Sequence, residues 1–192
     1  LLVYFFIIPN EDFSSIFLSI TSSISTSGIS TYNSNFDVSL FFIFLTIIGG
    51  SLISVTSGFK YVRFYILFKI SYQEIYRLVK PKNIFNMNLL NSEFKIGEED
   101  SKIAFLVFIS FIISLFVLSS ILTLDNLTFE SSFKLSILTL TNTVNSSLYG
   151  LDNLNFFDLN NFTKMSLIIF MILGKIEIIA VLYLIKRFIF KE

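Results

Sequence analysis

The sequence predicts an all-α membrane protein built from repeated units. Each unit holds a spanning helix, a short re-entrant helix, a polar loop and a second spanning helix. Three observations predict it. The 192-residue chain is 54% hydrophobic, with 25 Phe and a mean hydropathy of +0.77, well past the balance of a soluble domain. Three apolar runs, Ser39–Phe59, Ile103–Leu124 and Met165–Ile185, reach the roughly 20 residues needed to cross hydrocarbon. Two shorter semi-apolar segments, each followed by a polar loop, fall in the same order relative to those runs.

Composition also excludes several function classes. Charged residues make up 15% and the net charge is zero, so there is no basic footprint for a nucleic acid. The chain has no Cys and no His, which removes disulfides, thiolate and imidazole metal ligands, and Cys or His nucleophile–base pairs. No catalytic constellation is visible, so neither an enzyme nor a bound cofactor is expected.

The elements follow in chain order. Leu1–Ile8 is too short to span and reads as the stump of a helix that begins upstream; with no basic region before it, it does not read as a signal peptide. "FSSIFLSITSSIS" is semi-apolar and short, and "STSGISTYN" follows it as a polar loop. The first full run, Ser39–Phe59, continues as an amphipathic helical stretch towards Lys69. Ser71–Ser101 reads as a short helix, a break at Pro81 and a polar stretch, with Leu89–Ile96 compatible with a strand pair. The run Ile103–Leu124, the semi-apolar "FESSFKLSILTLT", another polar loop and the run Met165–Ile185 complete the chain.

Lys60–Lys102 carries eight of the fourteen Lys and Arg residues, and Lys186, Arg187 and Lys191 add three. Residues Asn10–Val38 hold none, but include Glu11, Asp12 and Asp37. The positive-inside rule puts Lys60–Lys102 and the C-terminus in the cytoplasm and both semi-apolar segments on the outer side. Too short to span, these would enter and return, which backbone tolerates only where protein or a water-filled cavity surrounds it.

The two halves align. At an offset of 117 residues, Leu18-Ser19-Ile20 pairs with Leu135-Ser136-Ile137, Thr26 with Thr143, and Gly28 with Asn145. Further on, Gly49 meets Gly174 and Gly50 meets Lys175 at an offset of 125. Such repeats are the sequence trace of a pore or transporter built about a pseudo-symmetry axis.

The polar loops have a plain reading, an exposed turn, and a sharper one. A half-helix entering from outside aims the negative end of its dipole at mid-membrane, and the loop after it presents carbonyl oxygens that can replace a cation's hydration shell. Gly28 accepts the positive φ such a loop needs, Ser25, Thr26, Ser27 and Ser30 can brace it, and Asn145 stands in the matching place of the second half. The occurrence of the arrangement twice favours the sharper reading. "IIGGSLISVTSGFK" likewise reads either as close helix packing at Gly49-Gly50 or as a helix broken at mid-membrane. Lys175 and Glu177 lie within the last run, where a charge costs about 2.5–3.5 kcal/mol. They read as a stabilising pair or, favoured by a spacing that puts them on different faces, with Lys175 turned to the axis near Gly49–Gly58.

These motifs resemble the membrane subunit of the Trk/Ktr/HKT superfamily of potassium and sodium transporters, which has four concatenated helix, pore-helix, filter-loop, helix units. Thr26 to Thr31, "TSGIST", is similar to the third filter, T-T-G-F-S-T, with Ser27 and Ile29 substituted. Gly49, Gly50, Ser51, Ser54, Gly58 and Lys60 match the broken-helix loop G-G-S-A-G-S-T-A-G-G-I-K, where Ser57 replaces a glycine. "NTVNSS" keeps Asn142 and Val144 of the fourth filter, N-N-V-G-P-G, but has Asn145, Ser146 and Ser147 in place of G-P-G. "GKIE", Gly174 to Glu177, has Lys175 in place of the arginine associated with the gate.

The resemblance implies a potassium-channel-like fold. Residues 1–69 would be a third-type pore unit with its first helix truncated, 70–101 a cytoplasmic connection and 102–192 a fourth-type unit. It implies a filter at Thr26, Ser27, Gly28, Ile29, Asn142, Thr143, Val144 and Asn145, with K+ met by backbone oxygens at Ser27, Gly28, Val144 and Asn145. Gly49, Gly50, Ser51, Ser54, Ser57, Gly58 and Lys175 would form the gate. It further implies K+ uptake at a bacterial inner (plasma) membrane, as a homodimer, with a cytoplasmic nucleotide-binding regulatory subunit and with two N-terminal pore units elsewhere in the same chain. A non-selective or Na+-conducting relative and a non-conducting structural fragment are the alternatives.

Overall fold

The computed structural model describes residues 13–29, 39–49, 57–80, 97–125, 127–143, 149–151 and 154–176. They are helical or connecting: α1 (Phe13–Ile24), α2 (Ser39–Ile48), α3 (Tyr61–Val79), α4 (Glu98–Thr123), α5 (Phe129–Thr141), a single 3-10 turn at Phe156–Asp158, and α6 (Asn161–Ile176). The stump Leu1–Ile8 and the strand pair expected around Leu89–Ile96 lie outside the described residues.

Helix α4 shows why its sequence folds as it does. Its buried positions, Ala104, Val107, Phe111, Leu115, Leu118 and Leu122, recur at intervals of three and four, the period of one helical face. The opposite positions are also apolar and lie exposed, among them Phe105, Ile109, Ile113 and Phe116. An apolar outer face on a helix with an 18-residue stretch of mean hydropathy 2.8 suits lipid rather than water. Gly97 and Asp100 start it, the Asp100 carboxylate accepting from the Gly97 N–H at 3.0 Å.

Helix α5 is the hub. From Lys134 through Thr141 every residue is buried, so that stretch is enclosed on all sides, and the helix packs on α2, α4 and α6. Leu135, Leu138 and Leu140 meet Phe42 of α2 and Leu118 and Leu122 of α4 in one core. Helix α3 packs on α4 through Val62, Ile66 and Ala104, with the ring of Phe59 edge-on to that of Phe108 at 5.6 Å. Helix α3 ends at Val79, just before Pro81, as the break expected there requires.

Two of the three expected spans are corrected. Ser39–Phe59 is not one helix: α2 stops at Ile48 after ten residues, about 15 Å at 1.5 Å per residue. Gly49 then takes φ +59°, and the next helix among the described residues begins at Tyr61. The last run starts earlier than Met165, at Asn161, and is helical through Ile176, with its remainder outside the described residues. Among the described residues one helix, Glu99–Thr123, is both long and apolar enough to cross a membrane, and it matches the expected Ile103–Leu124.

Candidate ion pathway

Both short segments form the helices expected of them, and both stop the same way. Helix α1 has 12 residues and α5 has 13, about 18 and 20 Å, well short of the roughly 30 Å hydrocarbon core. At the end of α1, Thr26 has φ +52°, its N–H donates to the Ser23 carbonyl at 3.3 Å, and the Ser27 N–H donates back to the Ser22 carbonyl at 3.1 Å. At the end of α5, Asn142 has φ +56°, its N–H donates to the Thr139 carbonyl at 3.1 Å, and the Thr143 N–H donates to the Leu138 carbonyl at 2.9 Å. This is one motif used twice, the paired backbone bonds of a Schellman cap with a left-handed residue after the helix.

The caps fix the register of the repeat. Thr26 corresponds to Asn142 and Ser27 to Thr143, an offset of 116 rather than the 117 that the Leu-Ser-Ile match suggested. One hydroxyl pair follows the same offset: Ser23 Oγ donates to the carbonyl four residues back at 2.9 Å, as Thr139 Oγ1 does at 2.7 Å. By this bond a buried Ser or Thr satisfies its own hydroxyl inside an apolar interior. Gly28 takes the positive φ expected of it, +70°. Thr26 was not expected to be left-handed; a β-branched residue there is an outlier, and such strain costs on the order of 1–3 kcal/mol.

The break after α2 lies against these ends. The Phe59 N–H donates to the Ile47 carbonyl at 3.0 Å, so the chain returns to where the helix stopped. Gly49, Ser57 and Gly58 of the expected gate are therefore adjacent: a Cβ on Gly49 would stand 3.0 Å from the Ser57 carbonyl oxygen. Gly58, at φ +90°, passes so close to α5 that a Cβ would lie 3.3 Å from Thr141 Cγ2. Asn142 then joins the two regions. Its Nδ2 donates to Ser57 Oγ and to the Met171 carbonyl, each at 3.0 Å. A residue expected in the filter is thus bonded to one expected in the gate, and to α6.

Gly174, paired in sequence with Gly49, serves differently. It lies inside the continuous helix α6, where a Cβ would come within 2.1 Å of the Leu140 carbonyl oxygen. Only the bare backbone of a glycine lets α6 cross the last turn of α5 at that distance. Lys175 follows in the final turn and is exposed. Thr143 is fully buried, Asn142 half-buried, and Ser27 and Ile29 exposed. Val144, Asn145, Gly50, Ser51, Ser54 and Glu177 lie outside the described residues.

Sequence reasoning missed a buried polar group beside the end of α1. Tyr149 is fully buried, its hydroxyl 3.4 Å from Ser23 Oγ. The next residue, Gly150, has φ +69° and lies against Ser39 and Lys134, whose Nζ would be 3.6 Å from a Cβ there. Lys134 is 7% exposed and pairs with Glu130 at 2.7 Å, one helical turn earlier. At the other end of the unit Asp125 is tied to the start of α6. Its carboxylate accepts from the Asn160 N–H at 2.9 Å, from Thr163 Oγ1 at 2.8 Å and from the Asn160 side-chain amide. The Asn160 N–H first, then the Thr163 hydroxyl, hold its pKa below the usual carboxylate range.

No family model matches the chain, and no characterised protein matches it by sequence. Among solved structures it is similar to the potassium transporter TrkH from Vibrio parahaemolyticus, with a TM-score of 0.78 and 24% identity. The match covers 90% of this chain and 36% of that one, so the chain spans about a third of the length of that transporter. The likeness shows the fold: the chain is an all-helical protein with the architecture of part of a membrane transporter.

Proposed function

We propose that this chain forms part of a transmembrane route for a monovalent cation, K+ foremost, and that it is a transporter rather than an enzyme. One observation carries the reading: two half-helices too short to span end in the same cap, on a fold like that of TrkH. Backbone oxygens at Ser27 and Gly28, with those of Val144 and Asn145, would replace the hydration shell of the ion. Thr26, Ile29, Asn142 and Thr143 complete the filter. Gly49, Gly50, Ser51, Ser54, Ser57 and Gly58 obstruct the route below it, with Lys175 repelling a cation until the segment moves. The full assembly would be a homodimer in a bacterial inner membrane, with its C-terminus cytoplasmic, further pore units in the same chain, and a nucleotide-binding regulatory subunit. Asn145, standing where the resemblance expects a glycine, favours one second reading, a non-selective or Na+-conducting relative.

Rubidium uptake into potassium-starved cells by the full-length protein tests this. Gly28 adopts φ +70°, so Gly28→Asp adds both backbone strain and a carboxylate at the filter, and uptake is expected to vanish. Undiminished uptake by that variant rejects the filter.

A further inference from the structure

Helix α3 repeats itself. Tyr61, Tyr65 and Lys69 recur eleven positions on as Tyr72, Tyr76 and Lys80, the pattern Tyr-x3-Tyr-x3-Lys used twice. Eleven residues are close to three full turns, so all six fall on one side of the helix. Both copies fold alike. The two rings of each pair lie 6.5 and 6.4 Å apart, each tilted by 32°. Lys69 Nζ stands 5.7 Å over the Tyr65 ring and Lys80 Nζ 5.9 Å over that of Tyr76. The buried residues of α3 are Val62 and Ile66, which meet Ala104 of α4, whereas Tyr61, Phe68, Tyr72 and Ile75 lie exposed.

That contact with α4 sets the depth. The apolar run of α4 starts at Ile103, after Glu99, Asp100 and Lys102, so Ala104 lies just inside the edge of the hydrocarbon. Ile70 of α3 packs alongside the same cluster. Lys69 therefore stands at the membrane surface, with Tyr72 just beyond it. Lys80, eleven residues or about 16 Å further along, is past the headgroup layer but within roughly a Debye length of it. Tyrosine and lysine are the residues a headgroup layer selects, each with an apolar body and a polar tip. From Lys60 through Lys80 the chain has five cations and one carboxylate, Glu74, which pairs with Arg77 at 3.2 Å. The surplus complements a phosphate.

We propose that the Lys69–Lys80 side of α3 binds an anionic phospholipid: Lys69 meets the phosphate, Tyr72 and Tyr76 lie along the headgroup, and Lys80 adds to the attracting field. The Tyr65 and Tyr76 rings hold the two ammonium groups along the helix, so less side-chain freedom is lost when a phosphate arrives.

The full-length protein, purified in detergent, is titrated with dioleoylphosphatidylglycerol and separately with dioleoylphosphatidylcholine, and bound lipid is counted by native mass spectrometry. Phosphatidylglycerol is expected to bind more tightly. Lys69→Gln is expected to weaken it about fivefold, the contribution of one lysine near a charged surface, and Lys80→Gln by less, because it lies further out. Lys69→Arg is expected to keep it, and phosphatidylcholine binding is expected to stay the same in every variant. Raising the salt to about 0.5 M is expected to shrink the Lys69→Gln effect. If Lys69→Gln does not fold, Lys80→Glu, at an exposed position, must still lower the preference. Equal affinity for the two lipids, or an equal loss of both in Lys69→Gln, overturns the inference. So does a lower melting temperature with the preference kept, which would leave the lysines as braces of α3. Lipid is counted without any transport, so none of these results bears on the cation route.

Discussion

Gly174 shows what one missing methyl group permits. Its Cα lies so near the Leu140 carbonyl that any side chain would overlap it, and the obstructing atom is backbone in the fully buried last turns of α5. Neither helix has a flexible side chain to move aside, so relief requires α5 and α6 to separate. Gly174→Ala is expected to destabilise by at least the roughly 1–3 kcal/mol typical of overpacking and to lower the melting temperature of the detergent-solubilised protein by several degrees. Gly97→Ala is the control, because its nearest neighbour is a carboxylate 3.4 Å away, ordinary contact on an exposed turn. Equal melting temperatures for the two variants would contradict the close approach. The sequence presents Gly174 only as a glycine beside a lysine in an apolar run. What it contacts is decided by Leu140, 34 positions earlier, and no local pattern carries that information. Tyr149 and Thr26 were illegible for the same kind of reason. Tyr149 meets Ser23 only in the folded chain, and propensity argues against a left-handed threonine. Asn142 was half legible: an asparagine just past a semi-apolar run is a recognised helix stop, though its amide contacts are not.

At the scale of elements, length and polarity were informative where each run had one role. Helices α1, α4 and α5 follow the apolar segments that announced them, because a short run flanked by Ser and Thr cannot span and a long uniform one can. The break after α2 defeated that logic. Hydropathy averages over Ser39–Phe59, whereas the positive φ of Gly49 and Gly58 acts at single residues. The repeat register slipped by one because three matching residues in a Leu, Ser and Ile-rich sequence outweighed the caps that fix the true correspondence. Asp125 illustrates how elements are docked: it sits after α4 yet accepts from the Asn160 N–H just before α6 and from the Thr163 hydroxyl in its first turn. Those bonds favour the carboxylate, so its folded pKa lies below the unfolded value near ~3.9. The unfolded chain then binds the proton more readily. The stabilisation is therefore complete above the unfolded pKa and is lost as pH falls through the folded one. Melting temperatures of the protein and of Asp125→Asn are expected to differ at neutral pH and to converge on acidification below about pH 4. A gap that stays constant across that range would mean that the charge is not what ties Asp125 to α6.

Among the described residues, the end of α5 and the chain that returns to α2 form one connected structure. Helix α5 packs on α2, which precedes the break, and on α6, which carries Gly174 and Lys175. Asn142 fastens that junction. The Met171 carbonyl can only accept, so the amide must present its NH2 group there, and the second hydrogen goes to Ser57 Oγ. Both donors are used, one on the break's return path and one on α6. If the segment between Gly49 and Gly58 obstructs the route, releasing Ser57 from Asn142 should let it move more often. Asn142→Ala would confuse the result, since alanine resists φ +56°, whereas Asn142→Gly keeps the cap geometry and deletes only the amide. Asn142→Gly is expected to raise basal rubidium flux several-fold, as two lost hydrogen bonds of about 1 kcal/mol each would allow. Lys175→Ala is expected to raise it as well, by removing a positive charge from the exposed last turn of α6 beside the crossing at Leu140. The two act on different terms, one on the restraint of the segment and one on the field a cation meets, so their effects should multiply. Basal flux that falls or stays level in both variants would remove the gate from this part of the chain, even with the filter upheld by Gly28→Asp.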